Sequence, residues 1–499
     1  MGLDDRLARL LHEAPDEAEA VEQDGTWWTW GALRACATAL DDMLIAARVC
    51  PGGRVGLVVR NRPEHVGVLL AVIATGRCVV AFDPFQPAAR LAASIADADV
   101  AVVIGDAGSL AAEEVFAAAK ADALVVELGE DAAVRVLGGA PPDCMPPPCG
   151  VTVEMLSSGT TGPPKRTGLT MRQLDQALAA ASRTTPGEEL LSPAVSLVAT
   201  PMVHIGGLWG VLSSLHAGRK LVLMSRFEAQ PWSEAVARHR IRATFLVPAA
   251  LRDVLDAGIA PRALESVKLI TSGATACPVD LADEFFRKYG IRVLTTYGAT
   301  EFAGAVAGWT YDLHEQWWDR KMGSSGRAYG DVVLRVTDGE GTDLPPGEVG
   351  HLEVRTAQSA RGPDEWVRTS DLAELDDDGF LWVEGRADDV IVRGGFKIQP
   401  RTVQRVLETH AAVREAAVVG MDDDRLGAVP VAAVELAPGA PRPTDDELVD
   451  LCRARLTAYE VPKHVLLLDR LPRTPSTKVS RVELLELVRT HITTGEEQP

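Results

Sequence analysis

The chain has 499 residues, too many for a single hydrophobic core, so two or more domains are expected. Hydrophobic residues make up 46% of it and charged residues 24%, values typical of a globular protein. The formal net charge of −20 argues against nucleic acid or an anionic membrane as a general partner. It remains compatible with a local basic pocket for a phosphate-bearing ligand.

The first residues and the cysteines predict a cytoplasmic protein without a membrane span. The segment MGLDDRLARLLHEAPDE is charged and amphipathic, which is not typical of a signal peptide. The longest apolar run, residues 65–82, is interrupted by Thr75, Gly76 and Arg77. The seven cysteines are scattered and odd in number, which fits a reducing compartment better than a disulfide framework.

Short runs of Val, Ile and Leu recur along the first 300 residues and predict strands that are buried on both faces. The runs lie at 54–59, 79–83, 100–105, 123–128, 195–201, 220–224, 243–248, 268–273 and 292–298. Helical patterns such as 171–182 alternate with them, and this alternation is typical of βαβ units. The proline-rich segment 139–150 predicts a linker or a long loop.

Near Asp388 the pattern changes to a smaller unit, with a helix near 401–410 and strands at 413–421 and 429–436. The predicted fold class is therefore α/β. A large N-terminal domain, residues 1–387, would contain mostly parallel sheets flanked by helices. A small C-terminal α+β domain would contain residues 388–499.

The segment LSSGTTGPPKRTGLT, residues 156–170, has the composition of a phosphate-binding loop. Its hydroxyls and lysine can hold phosphate oxygens, and its glycines allow backbone N–H groups to approach closely. The candidate ligand-binding residues are Ser157, Ser158, Gly159, Thr160, Thr161, Gly162 and Lys165. A Walker A loop needs Ser or Thr after its lysine, and here Arg166 follows, so a different nucleotide-binding architecture is predicted.

Two further segments carry nucleotide chemistry. TTYGATE, residues 295–301, ends a predicted strand, which is where open α/β sheets bind ligands. Tyr297 could stack on a base, Thr300 could bond a phosphate and Glu301 could ligate Mg²⁺. Asp371 in RTSDL could accept hydrogen bonds from ribose, and Arg386 in GRADDVI could donate to the sugar or to phosphate.

Seven motifs in a fixed order carry a resemblance that covers nearly the whole chain. They are SSGTTGPPK, PMVHIGGL, TSGATACP, YGATE, TSDL, GRADDVI and PRTPSTK. With these motifs the chain resembles the adenylate-forming superfamily of acyl- and aryl-CoA ligases, stand-alone adenylation domains and luciferases. The resemblance implies two half-reactions, with ATP, Mg²⁺ and coenzyme A as cofactors. A carboxylate attacks the α-phosphate of ATP to give acyl-AMP, and a thiol then displaces AMP.

The resemblance also implies residue roles. The catalytic candidates are Lys478, His204, Thr300 and Glu301. Lys478 would bridge the substrate carboxylate and the α-phosphate, and Thr160, Thr161 and Lys165 would hold the outer phosphates. The remaining nucleotide-binding candidates are Gly273, Ala274, Thr275, Tyr297, Gly298, Ala299, Asp371 and Arg386.

The resemblance implies that the C-terminal domain is mobile and that Asp388 is its hinge. RGGFKI, residues 393–398, would form one wall of the pantetheine tunnel, with Gly394 and Gly395 allowing close approach. The candidates for the CoA phosphates are Arg393, Lys397 and Arg401.

The acid is expected to be hydrophobic. Amino-acid adenylating domains typically place an aspartate just after the His204 position, and HIGGLWG has no carboxylate. An aryl, cyclic or fatty acid would suit a pocket without charged residues. The pocket candidates are His204, Ile205, Gly206, Gly207, Leu208, Ala303 and Gly304.

The chain departs from the family pattern at a few places. Arg166 and Thr477 replace glycines, Gln404 replaces a glutamate, and the segment between residues 355 and 369 predicts a shortened surface loop. We expect the Arg166 side chain to reach solvent; the alternative is a charge near pyrophosphate or CoA.

The leading prediction is a monomeric or homodimeric acid–CoA ligase. One alternative loads a separate carrier protein, because no carrier domain follows Lys478. Another is a non-catalytic nucleotide-binding protein.

Overall fold

A computed structural model describes residues 2–130, 133–141, 150–156, 166–181, 189–474 and 478–494. These residues form two compact units. The first unit contains the described residues up to 333 together with Arg355–Val367. The second unit contains Leu334–Val354 and the described chain from Arg368 onward.

Helices of the first unit alternate with its strands. The helices are α1 (Leu3–Glu13), α2 (Trp30–Ala46), α3 (Pro63–Ala74), α4 (Ala88–Ala96), α5 (Ala107–Leu110), α6 (Glu113–Asp122), α7 (Met171–Ala181), α8 (Ile205–His216), α9 (Ala229–His239), α10 (Pro248–Asp256), α11 (Val279–Tyr289) and α12 (Tyr311–Lys321). Local signals fix several of their ends. The Thr29 side chain accepts a hydrogen bond from Ala32 N at the start of α2, and α3 and α10 begin with proline.

The strands of this unit are β1 (Glu19–Gln23), β2 (Thr26–Thr29), β3 (Arg54–Val58), β4 (Cys78–Phe82), β5 (Val102–Gly105), β6 (Leu124–Leu128), β7 (Val134–Gly138), β8 (Val153–Leu156), β9 (Arg166–Leu169), β10 (Val195–Val198), β11 (Lys220–Leu223), β12 (Ala243–Phe245), β13 (Leu269–Ser272), β14 (Arg292–Ala299), β15 (Gly304–Gly308) and β16 (Arg327–Ala328). They form sheets in the orders β7-β6-β5-β3-β4-β8-β9, β10-β11-β1-β2 and β12-β13-β14-β15-β16.

In the seven-stranded sheet the central strands are parallel and the two edge strands are antiparallel. β3 pairs in parallel with β4 and β5, whereas β7 and β9 at the two edges pair antiparallel with their neighbours. Successive residues of β4 enter cores on opposite faces: Val79 and Ala81 belong to one buried cluster, Val80 and Phe82 to another. Burial on both faces explains why these strands are continuous hydrophobic runs.

The second unit is smaller and its sheets are mostly antiparallel. Its strands are β17 (Val333–Thr337), β18 (Gly350–Arg355), β19 (Val367–Leu375), β20 (Leu381–Arg386), β21 (Ile391–Arg393), β22 (Phe396–Ile398), β23 (Val413–Asp423), β24 (Gly427–Leu436) and β25 (Val465–Leu468). Its helices are α13 (Pro400–Leu407), α14 (Asp445–Arg453) and α15 (Arg481–Thr494). The sheets run β17-β18-β19-β20 and β22-β21-β24-β23, with β25 paired to β24.

The predicted α/β fold, with a large N-terminal and a small C-terminal part, is confirmed. Each predicted strand between residues 54 and 298 is present. Strand β9, directly after the predicted phosphate loop, was not foreseen. Residues 142–149 of the predicted linker lie outside the described residues. The division at residues 387 and 388, and the hinge, stay predictions. No described helix has the length and apolar character needed to cross a membrane.

Candidate functional site

Predicted nucleotide-binding residues of the first unit lie at the carboxyl ends of two neighbouring strands. β13 and β14 pair in parallel, with Ser272 opposite Thr295, so the residues after Ser272 lie beside the end of β14. A Cβ atom at Gly273 would lie 2.8 Å from Thr296 Oγ1, and the Thr296 hydroxyl donates to Ser272 O at 3.4 Å. Gly273 is therefore required for the close packing of these two strand ends.

Thr300 and Glu301 lie on a tight 3₁₀ turn, Thr300–Phe302, between the antiparallel strands β14 and β15. The turn closes with a hydrogen bond from Ala303 N to Thr300 O at 3.0 Å. Phe302 is buried and anchors the turn, whereas the Glu301 side chain is exposed. The sequence Thr-Glu-Phe thus presents a carboxylate at the end of a sheet on a firmly packed base.

Two alanines at predicted site positions have left-handed backbone conformations, with φ of 69° at Ala274 and 54° at Ala303. Alanine is uncommon there because its Cβ crowds the backbone. The other described non-glycine residues with positive φ are Asp24, Arg48, Asp99 and Arg240. Strained conformations of this kind occur often at functional sites, so the two alanines support the location of the candidate site.

The predicted acyl pocket lies at the start of α8. Gly207 is in close contact with the preceding segment, because a Cβ there would lie 2.2 Å from Pro201 O. Leu208 is buried in the core, whereas His204 and Ile205 are partly exposed. A Cβ at Gly304 would lie 3.3 Å from Cδ1 of Trp209, so this ring covers the start of β15. The structure thus brings the end of HIGGLW next to Gly304, one of the predicted pocket residues that follow YGATE.

The first turn of α7 contains a residue that the sequence reasoning missed. Gln173 is fully buried, and its Oε1 accepts hydrogen bonds from Thr170 N and Thr170 Oγ1, both at 3.0 Å. Gln173 N donates to Thr170 Oγ1 at 3.3 Å, which completes a capping box. The Thr-x-x-Gln spacing before an apolar helix is a known signal for this motif and could have been found.

The side-chain amide of Gln173 continues beyond the helix cap. Its Nε2 donates to Glu301 O at 3.3 Å and to Gln358 O at 3.1 Å. The neighbouring Arg172 donates to Ala357 O at 2.6 Å and to Ser359 O at 2.8 Å. Three successive carbonyls, those of residues 357 to 359, are therefore held by α7.

The expectation of a surface loop between residues 355 and 369 is wrong for its first part. Thr356, Gln358 and Ser359 are buried, because their segment packs against α7 through these hydrogen bonds. Residues 363–365 are exposed, as expected.

The second unit brings together the acidic and basic residues predicted to surround the ribose. Asp371 on β19 lies directly opposite Arg386 on β20. The Arg386 guanidinium donates to both carboxylate oxygens of Asp388 at 2.8 Å. This bidentate bond, with the further charges of Asp371 and Asp389, raises the pKa of Arg386. The predicted hinge residue is thus bound to a predicted ribose-binding residue.

Lys478 lies within the electrostatic reach of the same group. Desolvation lowers its pKa, the Arg386 charge lowers it further, and Asp371 opposes both. The Lys478 carbonyl accepts a hydrogen bond from Thr474 N at 2.7 Å, and Val479 forms a β-bridge with Arg473. The structure therefore places Asp371, Arg386 and Lys478 in one cluster of interacting charges.

The glycines of RGGFKI serve a turn. Arg393 pairs with Phe396 across the β21–β22 hairpin, and Gly394 and Gly395 between them have φ of 57° and 90°. A two-residue hairpin turn with both φ positive strongly favours glycine. The predicted reason, close approach of a ligand, is not needed to explain them.

The three candidates for the CoA phosphates differ in their surroundings. Arg393 donates to the carbonyls of Tyr459 at 2.8 Å and Val461 at 3.3 Å, so its guanidinium already holds the backbone. Lys397 is exposed. The pKa of Arg401 is lowered, first by burial and then by Arg405.

The expectation that Arg166 reaches solvent is wrong. Its Nη2 donates to the carbonyl and hydroxyl oxygens of Ser94 at 2.7 and 3.0 Å. The guanidinium lies 5.1 Å from the centre of the Phe82 ring, and its Nη1 is 3.6 Å from Glu154 Oε1. Burial lowers its pKa. Its backbone belongs to β9, opposite Leu156, so the substitution creates no left-handed strain.

The predicted phosphate-loop residues Ser157, Ser158, Gly159, Thr160, Thr161, Gly162 and Lys165 lie outside the described residues. They stay predictions.

Among the described residues, Glu301 offers a place for a metal ion that a nucleotide would help to hold. Within the described ranges, no group of three or more His, Cys, Asp or Glu side chains could hold a metal. Glu301 offers one exposed carboxylate, and Thr300 precedes it on the same turn. Mg²⁺ is commonly bound by one or two carboxylates plus substrate phosphates, and Glu301 suits that arrangement.

Comparison with known proteins identifies the family. The AMP-binding enzyme model matches residues 7–362, and the model for the AMP-binding enzyme C-terminal domain matches residues 402–478. The chain belongs to the AMP-binding enzyme family. Both the predicted membership of the adenylate-forming superfamily and the predicted enzyme class, an AMP-forming acid–thiol ligase, are confirmed.

The chain is similar to curated enzymes over almost its full length. It is 31% identical to the indoleacetate–CoA ligase of Aromatoleum aromaticum over 484 residues, which cover 92% of each chain. It is also 31% identical to the sulfoacetate–CoA ligase of Cupriavidus necator, with 96% and 97% of the two chains covered. Among solved structures, o-succinylbenzoate CoA synthetase from Bacillus subtilis in complex with its acyl-adenylate intermediate superimposes with a TM-score of 0.79. That structure is 26% identical, with 96% and 97% covered.

Proposed function

We propose that this protein activates a hydrophobic carboxylic acid, of the aryl, cyclic or fatty class, as acyl-AMP and transfers the acyl group to coenzyme A. The observation that carries the proposal is the cluster of Asp371, Arg386 and Lys478. It places a lysine of lowered pKa beside the two residues suited to a ribose. In a non-catalytic nucleotide-binding protein nothing would demand a desolvated lysine at that place.

In the first step, the chain's residues would bind and neutralise a nucleotide. Asp371 would accept hydrogen bonds from ribose hydroxyls, and Tyr297 would stack on the base. Lys478 would place its ammonium group between the carboxylate of the acid and the α-phosphate. A fixed cation at this point stabilises the negative charge that develops on the phosphate oxygens in the transition state.

Glu301 would hold Mg²⁺ against the outer phosphates and Thr300 would bond a phosphate oxygen, while the predicted loop residues Thr160, Thr161 and Lys165 would bind the same outer phosphates. The bound ion would offset the charge of the pyrophosphate leaving group. The turn that carries Glu301 is anchored by the buried Phe302. This suits the task, because the Glu301 carboxylate has to bind the ion at a fixed position.

In the second step, the thiol of coenzyme A would replace AMP. Asp388 is the proposed hinge of the rotation between the steps, and the hairpin turn at Gly394 and Gly395 is the proposed tunnel wall. Of the predicted phosphate ligands, Lys397 has the exposed ammonium group that an anion could reach. Arg393 is the weakest candidate, because its guanidinium holds two carbonyls.

The preference for a hydrophobic acid is supported by the residues near α8. Gly206, Ile205 and Trp209 offer no charge that could pair with a second ionic group of the acid. The similarity to an indoleacetate–CoA ligase agrees with an aryl acid, whereas the similarity to a sulfoacetate–CoA ligase points to a small anionic one. We favour the aryl acid, because the aromatic ring of Trp209 is partly exposed and covers the start of β15.

The proposal is tested by measuring pyrophosphate release with a panel of aryl, cyclic, fatty and sulfonated acids, each with and without coenzyme A. The products are identified by mass. An aryl-CoA thioester is expected. Pyrophosphate release without a CoA thioester for any acid would favour the alternative, transfer to a carrier-protein thiol. Preference for the sulfonated acid would refute the hydrophobic pocket.

A further inference from the structure

Gln173 is notable because every polar atom of its buried side chain is used. An amide side chain has two N–H donors and two acceptor positions on its oxygen. The donors bind Glu301 O and Gln358 O, and the oxygen accepts from the backbone and the hydroxyl of Thr170. The amide therefore has no freedom to turn without losing buried hydrogen bonds, which fixes the place of its Nε2 atom.

One of these hydrogen bonds, from Gln173 Nε2, binds the backbone carbonyl of Glu301, the proposed metal ligand. The backbone of Glu301 has one side fixed by the buried Phe302 and by the bond from Ala303 N to Thr300 O. Gln173 holds the Glu301 carbonyl itself, and through Gln358 it ties this carbonyl to a buried segment of the same unit. A helix, a β-hairpin turn and a distant segment thus meet at one amide.

The position of a carboxylate matters because Mg²⁺ demands near-ideal geometry at short distances. A side chain on a three-residue turn moves with the backbone that carries it. We propose that Gln173 is a positioning residue for the nucleotide-bound metal, which sets the place of Glu301 by holding its backbone carbonyl. The proposal rests on the proposed function, in which Glu301 meets Mg²⁺.

The competing explanation is that Gln173 only caps α7. The two roles use different atoms, because the cap uses Oε1 and the main-chain N, whereas the bridge uses Nε2. They can therefore be separated by substitutions. Gln173→Met removes the bridge and the Oε1 part of the cap, and keeps the main-chain bond to Thr170 Oγ1. Thr170→Ala weakens the cap and leaves the bridge. Arg172→Met releases the carbonyls of residues 357 and 359 and touches neither the cap nor Glu301.

The measurement is the affinity for a non-hydrolysable ATP analogue, determined by calorimetry with and without Mg²⁺. The ratio of the two affinities reports the contribution of the metal. We expect Gln173→Met to reduce this ratio roughly three- to tenfold, the effect of one misplaced hydrogen-bonded group, with little change in metal-free affinity. Thr170→Ala and Arg172→Met should keep the wild-type ratio, although Thr170→Ala should lower the melting temperature.

A wild-type ratio in Gln173→Met would overturn the proposal, and so would an equal reduction in Thr170→Ala, which would assign the effect to the cap. If Gln173→Met does not fold, Gln173→Glu serves instead, because it keeps the acceptor for Thr170 and replaces the donor to Glu301. The same reduction is expected for it. If the wild type releases pyrophosphate but Mg²⁺ does not change its nucleotide affinity, then Glu301 does not hold a nucleotide-bound metal and this proposal fails. Absence of pyrophosphate release would instead count against the proposed function.

Discussion

Arg166 and Arg386 lie in strands of different units, and their surroundings differ in kind. Arg166 is held by neutral groups, the two oxygens of Ser94 and the ring of Phe82, and shares Glu154 with Arg54. Its pKa is lowered by burial. Arg386 has three carboxylates within electrostatic reach, and its pKa is raised, first of all by its hydrogen bond with Asp388.

The difference separates a structural cation from one suited to a ligand. The guanidinium of Arg166 is already surrounded by permanent partners, so a phosphate would have to displace buried hydrogen bonds to reach it. Arg386 lies opposite Asp371 and acts on the charge of Lys478, the two residues to which the proposed function assigns the ribose and the α-phosphate. Arginine in a glycine-rich motif is therefore not evidence of anion binding until its neighbours are known.

The largest effect is expected at Lys478, which interacts with Arg386 in the proposed catalytic cluster. Lys478→Ala should reduce acyl-AMP formation by about 10²–10³, because one fixed donor to the developing phosphate charge is lost. Pyrophosphate release measures this step. Thioester formation from supplied acyl-AMP should change little. In that step AMP departs as the leaving group, and no carboxylate attacks the α-phosphate. An equal loss in both assays would contradict the assignment of Lys478 to the first step.

The second prediction concerns Arg166, the structural arginine of the comparison. Arg166→Met should lower the free energy of unfolding by about 2 kcal/mol, because hydrogen bonds from a charged donor to Ser94 are lost while the side-chain stem stays. The affinity for ATP and CoA should remain that of the wild type. Urea denaturation and calorimetry measure the two quantities. Weaker ATP binding with unchanged stability would reverse the comparison and make Arg166 a ligand-binding residue.

The fold was predictable because central strands of the first unit, such as β4 and β5, are buried on both faces. Val79 and Ala81 need one core and Val80 and Phe82 need the other, so the sequence becomes a continuous apolar run that few other elements show. Strand β9 carries no such signal. Its residues Arg166, Thr167 and Gly168 are partly exposed at the edge of the sheet, and its pairing with β8 depends on a partner ten residues earlier.

Candidate site residues could be proposed from the sequence where the residue type itself has the required chemistry. They could not be proposed where distant contacts determine the role. Glu301, Asp371 and Lys478 are charged residues in recognisable motifs. The role of Gln173 depends on the backbone of residues 301 and 358, and no local pattern encodes such distant partners. The direction of Arg166 likewise depends on Ser94, 72 positions earlier in the chain.

The pH dependence of adenylation tests whether Arg386 and Asp371 act on the pKa of Lys478. Lys478 has to be protonated to act as a cation, and desolvation together with Arg386 lowers its pKa, so the alkaline loss of adenylation should begin at lower pH than for an ordinary lysine. Arg386→Gln removes a neighbouring positive charge and should move this loss to higher pH. Asp371→Asn removes a negative charge and should move it to lower pH.

The measurement is kcat for pyrophosphate release at saturating ATP between pH 7 and about 10.5, the upper limit being near the ordinary pKa of lysine. Saturating ATP matters because both residues are proposed to bind ribose, and a change in affinity alone leaves kcat intact. Shifts in the same direction for both variants would mean that their charges do not act on Lys478, and the contrast with Arg166 would lose its electrostatic basis.

The smallest effect is expected from Ser94→Ala. Arg166 Nη2 is bonded to both oxygens of Ser94, and this substitution removes the hydroxyl while the carbonyl remains at 2.7 Å. The free energy of unfolding should fall by about 0.5–1 kcal/mol, less than for Arg166→Met, because one of two partners is kept. In the double variant the two losses should not add, since both act on the same bond. Additive losses in urea denaturation would show that Ser94 contributes independently and that other partners hold Arg166 in place.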